Sequence, residues 1–448
     1  MNQSTAVAPT SWLHKDSPTR KLLGGAIGNM GEQFDYSIYA FTAPIIAVNF
    51  FPSSNPVAAL LNTFVVYALS FVARPFGGVM FGYIGDRFGR LAVLTWTVVL
   101  MGVGTMLIGL LPSYSSVGVL APILLVVCRL LQGLSLGGET TGVESYIAES
   151  APDGKRASWT SLVMSFAYIP VALVACFILG LRTVMGDAAF EAWGWRIPFL
   201  LGGVVAFAGY LLRRNLDDPD EYLEAKAEAD QLALVPKSGE SVAHALGQSF
   251  KTRKSMLLVI LLLAPQSVAA YLLTGYMYTY LVKEGHTTAT VALLSNAAAV
   301  VVLAILLPFM GRLCDRFGRK RMYAAGAAWL FISAYPAFLL AGSGSLAGAL
   351  IGQFFLAFGV AVYTSAMFVG LIELFPTAVR CRSHGISYNA AVAIFGGTTP
   401  LVAAALISAT GNSLAPAFYA MAIIVVFGVA GIVLVPETKD VSLRESIY

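Results

Sequence analysis

The sequence predicts an all-α polytopic membrane protein, with twelve transmembrane helices in two pseudo-symmetric six-helix bundles, and three observations carry that expectation. Of its 448 residues 57% are hydrophobic and only 12% charged, with a mean hydropathy of +0.75, a balance that suits a lipid solvent rather than water. Apolar stretches of about 20 residues, enough to cross roughly 30 Å of hydrocarbon, recur along nearly the whole chain. A charged string after the second stretch returns after the eighth, so the chain reads as a duplication.

The predicted spans are 21–50, 58–82, 91–112, 118–148, 158–184, 196–214, 252–283, 289–313, 321–342, 345–374, 382–410 and 414–435. Lipid offers no partner to a backbone amide, so helices that satisfy their own amides are expected, and a period-2 barrel is not. Residues 1–20 contain His14, Lys15 and Asp16 but no apolar core or small-residue cleavage site of a signal peptide, so the first span is expected to be retained. The four cysteines, Cys128, Cys176, Cys314 and Cys381, form neither a CxxC pattern nor an extracellular framework. No metal and no cofactor is expected.

Lysine and arginine set the predicted orientation. Arg74 and Arg129 fall inside spans, Arg182, Arg196 and Lys283 lie near one set of ends, and the remaining 23 of the 28 basic residues lie on the opposite side. By the positive-inside rule that side is cytoplasmic, together with both termini. The net charge of +4 is then a matter of topology, and nucleic-acid binding, which needs a basic face on a soluble domain, is excluded. The expected divisions are a tail at 1–20, a bundle at 21–214, a solvated cytoplasmic linker at 215–251, a second bundle at 252–435 and a cytoplasmic tail at 436–448. The linker, which carries Asp217, Asp218, Asp220 and Glu221 among other charges, reads as a tether.

The repeat lies in the loops. Asp86-Arg87-Phe88-Gly89-Arg90 after span two recurs as Asp315-Arg316-Phe317-Gly318-Arg319 after span eight, and Glu149, Pro152 and Arg156 match the spacing of Glu373, Pro376 and Arg380. The first loop, its second copy and Arg129-Leu-Leu-Gln132-Gly133 resemble the major facilitator superfamily. Further strings resemble its bacterial metabolite:proton symporter branch, which includes carriers of proline and betaine, α-ketoglutarate, citrate and shikimate. They are Gly28-Asn29 with Glu32, Asp35 and Tyr39, then Arg74-Pro75-x-Gly77-Gly78, Gly137-Gly138-Glu139, and Trp193-Gly-Trp-Arg-Ile-Pro-Phe199. The resemblance covers about residues 20–440. It implies import of a small polar metabolite, an organic acid or a zwitterion, by proton symport with alternating access. It also implies a multi-pass protein of the bacterial inner membrane that works as a monomer, without enzymatic activity.

Charge within the spans points to the chemistry. An ionisable group at a helix centre costs roughly 2.5–3.5 kcal/mol on the insertion scale, so its presence calls for a reason. Glu32, Asp35, Arg74, Arg129, Glu139 and Glu144 all belong to the first bundle, and spans seven to twelve have no charge in their central portions. Glu32 and Asp35, three residues apart, share a helix face at mid-membrane depth. They read either as proton-coupling groups or as partners in permanent ion pairs with Arg74 or Arg129. The resemblance assigns Arg129 to proton or substrate handling, with a packing anchor as the alternative. Arg74 serves either an anion or, snorkelling to the cytosol, structure. Gln132 lies on nearly the face of Glu139. Glu144 stands where the family has a small residue, and reflects either substrate charge or an exposed exit.

Other candidates for substrate contact are Tyr39, Gln266, Tyr271, Gln353, Tyr363, Tyr388 and Asn389, with Tyr276, Tyr278 and Asn296 as further polar groups of the second half. Buried tyrosines and asparagines also pack helices together, which is the plainer reading for each of them. Gly28, Gly77, Gly78, Gly133, Gly137 and Gly138 are expected at close helix crossings. The resemblance makes Asp86, Arg87 and Arg90, with Asp315, Arg316 and Arg319, the gating charges. Departures are Gln33-Phe34 in place of the branch's tryptophan-aromatic pair, Leu91 where a basic residue is common, and no long coiled-coil tail of the kind found in some osmosensing betaine carriers. Among rivals, an exporter is disfavoured by Ser165-Phe-Ala-Tyr-Ile-Pro-Val171, which lacks the expected glycine- and proline-rich pattern of antiporters. An enzyme or receptor is disfavoured by the lack of HExxH, nucleophile-elbow and Walker motifs, and by four histidines read as lying in tails, loops or connectors.

Overall fold

Long apolar runs with few interruptions fold into twelve long helices among the described residues. The structure, a computed structural model, describes residues 18–88, 90–137, 147, 151–152, 154–213, 252–375, 380–439 and 441. The first six helices are α1 (Pro18–Phe50), α2 (Pro56–Phe88), α3 (Arg90–Leu110), α4 (Leu120–Leu136), α5 (Arg156–Met185) and α6 (Arg196–Arg213). The second six are α7 (Arg253–Lys283), α8 (Ala289–Phe317), α9 (Arg319–Ala341), α10 (Leu346–Glu373), α11 (Arg380–Ala391, continuing through Val392–Gly397 into Thr399–Thr410) and α12 (Ala415–Leu434). Eight of them are long and apolar enough to cross a membrane on the described residues alone, and Trp96–Leu110 and Leu120–Leu136 add shorter apolar helices. The predicted linker 215–251 lies outside the described residues.

Several helices carry an internal proline, among them Pro44, Pro75, Pro170, Pro265, Pro308 and Pro336. In a helical bundle the freed backbone groups are satisfied by neighbours, so such prolines bend rather than break. Three helices also widen into π-helical stretches, at Leu272–Tyr276 in α7, Val392–Gly397 in α11 and Ile424–Gly428 in α12. The halves meet where α5 packs on α8 and α10, α2 on α11, and α1 on α7. The candidate site lies inside this seam.

Candidate transport site

Close approach comes first. A Cβ on Gly133 of α4 would fall 2.0 Å from the carbonyl oxygen of Ser70 in α2, one on Gly137 1.9 Å from that of Arg74, and one on Gly77 1.8 Å from that of Leu134. Backbone therefore lies on backbone along the α2–α4 crossing, which only glycine permits. Gly28 and Gly138 fall where side-chain packing is outside the described residues. With the two helices pressed together, Arg74 and Arg129 both point at the acids of α1.

Two ion pairs result, and they differ. Arg129 donates from Nη1 to Asp35 at 3.0 Å and to Gln132 Oε1 at 2.9 Å, and from Nη2 to the Ser70 hydroxyl at 3.2 Å. The other oxygen of Asp35 accepts from the Thr105 hydroxyl at 2.7 Å and from Gln132 Nε2 at 2.6 Å. Asp35 is thus held by three side chains from α3 and α4. Among the described residues Glu32 is held by one cation: Arg74 Nη2 donates both to Glu32 and to the Tyr36 hydroxyl. The Glu32 side chain retains 9% of its exposure against 2% for Asp35. Nε of Arg74 is buried without an acceptor among the described residues.

Snorkelling by Arg74 is corrected here. The residue is 1% exposed and paired, because α1 offers it a carboxylate before it can reach water. Aromatic faces complete its surroundings. The Arg74 guanidinium carbon lies 4.6 Å from the Phe71 ring centre and 5.2 Å from that of Tyr36, and that of Arg129 lies 4.4 Å from Tyr39 and 5.4 Å from Tyr67. Cations over rings gain from the ring quadrupole, most strongly where water is excluded. Tyr39 also donates its hydroxyl to the Thr63 carbonyl at 3.0 Å. From the second half, Tyr271 meets Phe71 edge-on at 5.4 Å, Tyr276 meets Phe64 at 5.9 Å and Tyr278 meets Phe41 at 5.7 Å.

The remaining second-half candidates are tied into the frame. Gln353 donates to Ser295 at 2.8 Å and accepts from Asn296 at 2.9 Å, and Asn296 also donates to the Leu273 carbonyl in the π-helical stretch of α7. Tyr363 donates to the Leu262 carbonyl at 2.8 Å, Gln266 reaches Thr364 at 3.4 Å, and Asn389 donates to the Gly385 carbonyl at 2.9 Å. Tyr388 packs against His384 and Phe368. His384 corrects the placement of the histidines: it is fully buried in α11, not in a loop. Glu139 and Glu144 lie outside the described residues.

At the end of the molecule that carries the repeated loop, Asp315 accepts the backbone amides of Ala157 and Ser158, each at 2.9 Å, and the Ser158 hydroxyl at 2.6 Å. A carboxylate of α8 thereby caps the N-terminus of α5 across the seam, where the helix dipole favours negative charge. Arg319 grips Glu373 with two bonds, at 3.0 and 2.9 Å, and Arg156 approaches the same carboxylate at 3.5 Å. The described residues after α12 join in: Glu437 accepts the amides of Arg319 and Lys320, and Thr438 donates to Glu373 at 2.7 Å. Arg316 places its guanidinium 5.4 Å from the Phe317 ring. The side chains of Asp86, Arg87 and Arg90 are outside the described residues.

Sequence reasoning missed Tyr36, Tyr67, Phe71, Thr105 and Ser70. Tyr67 had a usable signal, standing seven residues before Arg74 on the same face of α2. A lone threonine or serine in an apolar helix carries none. Glu373 was visible only through the repeat, in which the arginine of the first copy, Arg156, now faces the glutamate of the second.

Residues 23–447 match the family described as "Sugar (and other) transporter". The chain belongs to that family. It is similar to a putative proline/betaine transporter of Staphylococcus haemolyticus, at 37% identity over 94% of this chain and 88% of the relative. A glycine betaine/proline/ectoine/pipecolic acid transporter of Dickeya dadantii is 34% identical over 96% of this chain and 85% of its own length. A D-xylose-proton symporter of known structure superposes with a TM-score of 0.72 at 20% identity, over 96% of this chain and 100% of that one. The shared architecture is the major facilitator fold. Membership of this transporter family makes the chain a multi-pass membrane transporter, and the expected absence of enzymatic function agrees with it.

Proposed function

We propose that this transporter imports small zwitterionic solutes of the proline and betaine type by proton symport, with Glu32, Asp35 and Arg129 as the coupling groups. The observation that carries the reading is the buried meeting of two carboxylates with two arginines inside aromatic walls. A site of balanced charge suits a solute that brings one charge of each sign, and protonating one acid unbalances it in a way that substrate and conformation can answer. The solutes named for the relatives in S. haemolyticus and D. dadantii favour a zwitterion over an organic acid. Alternating access would open the site to each side in turn. The Asp315 cap and the Arg319–Glu373–Arg156 cluster would act as the closing charges at the cytoplasmic end, in a bacterial inner membrane with both termini inside. Inward movement of one net positive charge gains about 2.3 kcal/mol per 100 mV.

The test is uptake of labelled betaine and proline into proteoliposomes under an imposed pH gradient, beside a dicarboxylate and a keto acid. Accumulation of the zwitterions that follows the gradient is expected, and either Glu32→Gln or Asp35→Asn should uncouple it while exchange continues. Gradient-independent uptake, or accumulation of the organic acids alone, would reject the reading.

A further inference from the structure

Resting on that reading, we infer that Arg74 is the receptor for the substrate carboxylate, and that Glu32 is the group that occupies it until a proton and a substrate arrive together. The two buried pairs are not equivalent. Asp35 has each oxygen bonded, by Arg129, Thr105 and Gln132. A carboxylate so surrounded ties α1 to α3 and α4 in addition to any proton it exchanges, and it leaves Arg129 no room for a second carboxylate. Among the described residues Glu32 is bonded by a single nitrogen, which is shared with the Tyr36 hydroxyl. Nε lacks an acceptor among the described residues in both arginines, so what sets Arg74 apart is its loosely held partner, and its fork has donor capacity left for a second carboxylate.

The exchange keeps Arg74 paired, and the site gains one net positive charge, that of the proton. Glu32 takes a proton from the aqueous side and becomes a neutral acid, Arg74 stays cationic, and the incoming carboxylate replaces the one that was lost. When substrate leaves, Glu32 gives up its proton to the receiving side and returns to Arg74. The onium end of the same solute then meets the face of Tyr271, beside the Phe71 and Tyr36 rings that Arg74 continues to cover. Rings that hold a delocalised cation also hold an alkylated ammonium. The titratable and charged groups around Glu32 among the described residues are Asp35 and Tyr36 on α1, Arg74 and Tyr67 on α2, Arg129 on α4 and Tyr271 on α7.

The experiment measures binding to the purified full-length protein in nanodiscs between pH 5 and 9, with three probes. N,N,N-trimethylglycine carries both charges, 3,3-dimethylbutyrate only the carboxylate, and choline only the onium. In the wild type, trimethylglycine should bind more tightly as pH falls, up to about tenfold per unit, the limit for one linked proton. Its binding should take up a proton from weakly buffered solution. Dimethylbutyrate should share that dependence, and choline should not. Glu32→Gln mimics the protonated acid, so it should bind trimethylglycine at pH 9 as tightly as the wild type does at its acid limit, with no proton uptake. Arg74→Lys, which keeps the charge but loses the fork, should weaken both carboxylate probes at least tenfold while choline is unaffected.

A Glu32→Gln protein that retains the wild-type pH profile overturns the inference, as does an Arg74→Lys protein that binds dimethylbutyrate normally. Because the Glu32→Gln signature is a gain of affinity, misfolding cannot imitate it. A wild type that binds no zwitterion at all instead defeats the parent reading.

Discussion

The middles of the two halves solve the same problem with different chemistry. In the first half, α1, α2 and α4 bury four formal charges that cancel in pairs. In the second, α7, α8 and α10 meet through neutral groups, with Asn296, Gln353 and Ser295 passing hydrogen bonds from one to the next. Amide networks hold helices at fixed spacing and do not change charge between pH 5 and 9. Paired charges hold helices too, but a single proton rewrites the pairing. On the proposed function, the contrast separates a responsive half from a frame.

The largest expected effect comes from breaking the better-bonded pair. Arg129→Met leaves Asp35 buried with hydroxyl and amide donors but no countercharge. The cost should be about 3–5 kcal/mol of stability, read as a fall in the thermal unfolding midpoint in detergent together with loss of uptake. Should the protein unfold at the wild-type temperature, the tie assigned to Asp35 is wrong. Next is Gly133→Ala, whose methyl would collide with the Ser70 carbonyl and push α2 from α4. About 1–3 kcal/mol is expected, with loss of binding beyond what the stability change explains, because Arg74 rides on the displaced helix. Smallest is Gln353→Leu in the neutral network, at about 1–2 kcal/mol. Its uptake should keep the wild-type pH profile, and a shifted profile would erase the distinction between the halves.

Much of the fold was legible because lipid imposes its length rule on each span separately. Predicted span 289–313 became Ala289–Phe317 and 345–374 became Leu346–Glu373. The glycine pattern at Gly77, Gly133 and Gly137 likewise announced a close crossing, since no other residue fits there. Which acid pairs with which arginine was not legible. The pairing depends on the rotation and height of α1, and these are set by packing with neighbours that a linear string does not display. The hydroxyls of Thr105 and Ser70 were hidden for a related reason: their types are ordinary in such helices, and only their neighbours make them ligands of Asp35 and Arg129. The bonds made by the last described residues were not legible either. Charged residues after a last span read as tail, whereas Glu437 and Thr438 fasten α9 and α10 together.

The widened stretch of α7 has a consequence for how chains of this kind can change length. Five residues of regular α-helix turn through about 500°, which would leave Tyr271 and Tyr276 about 140° apart. The looser winding at Leu272–Tyr276 lets both meet α2, at Phe71 and Phe64, residues seven apart on one regular face. Removing a single residue there would restore regular helix and leave the two tyrosines four positions, about 40°, apart, so both would still face α2. A gap of one position in this stretch would therefore leave the seam in register, whereas the same gap in a regular turn of α7 would swing every side chain beyond it by about 100°.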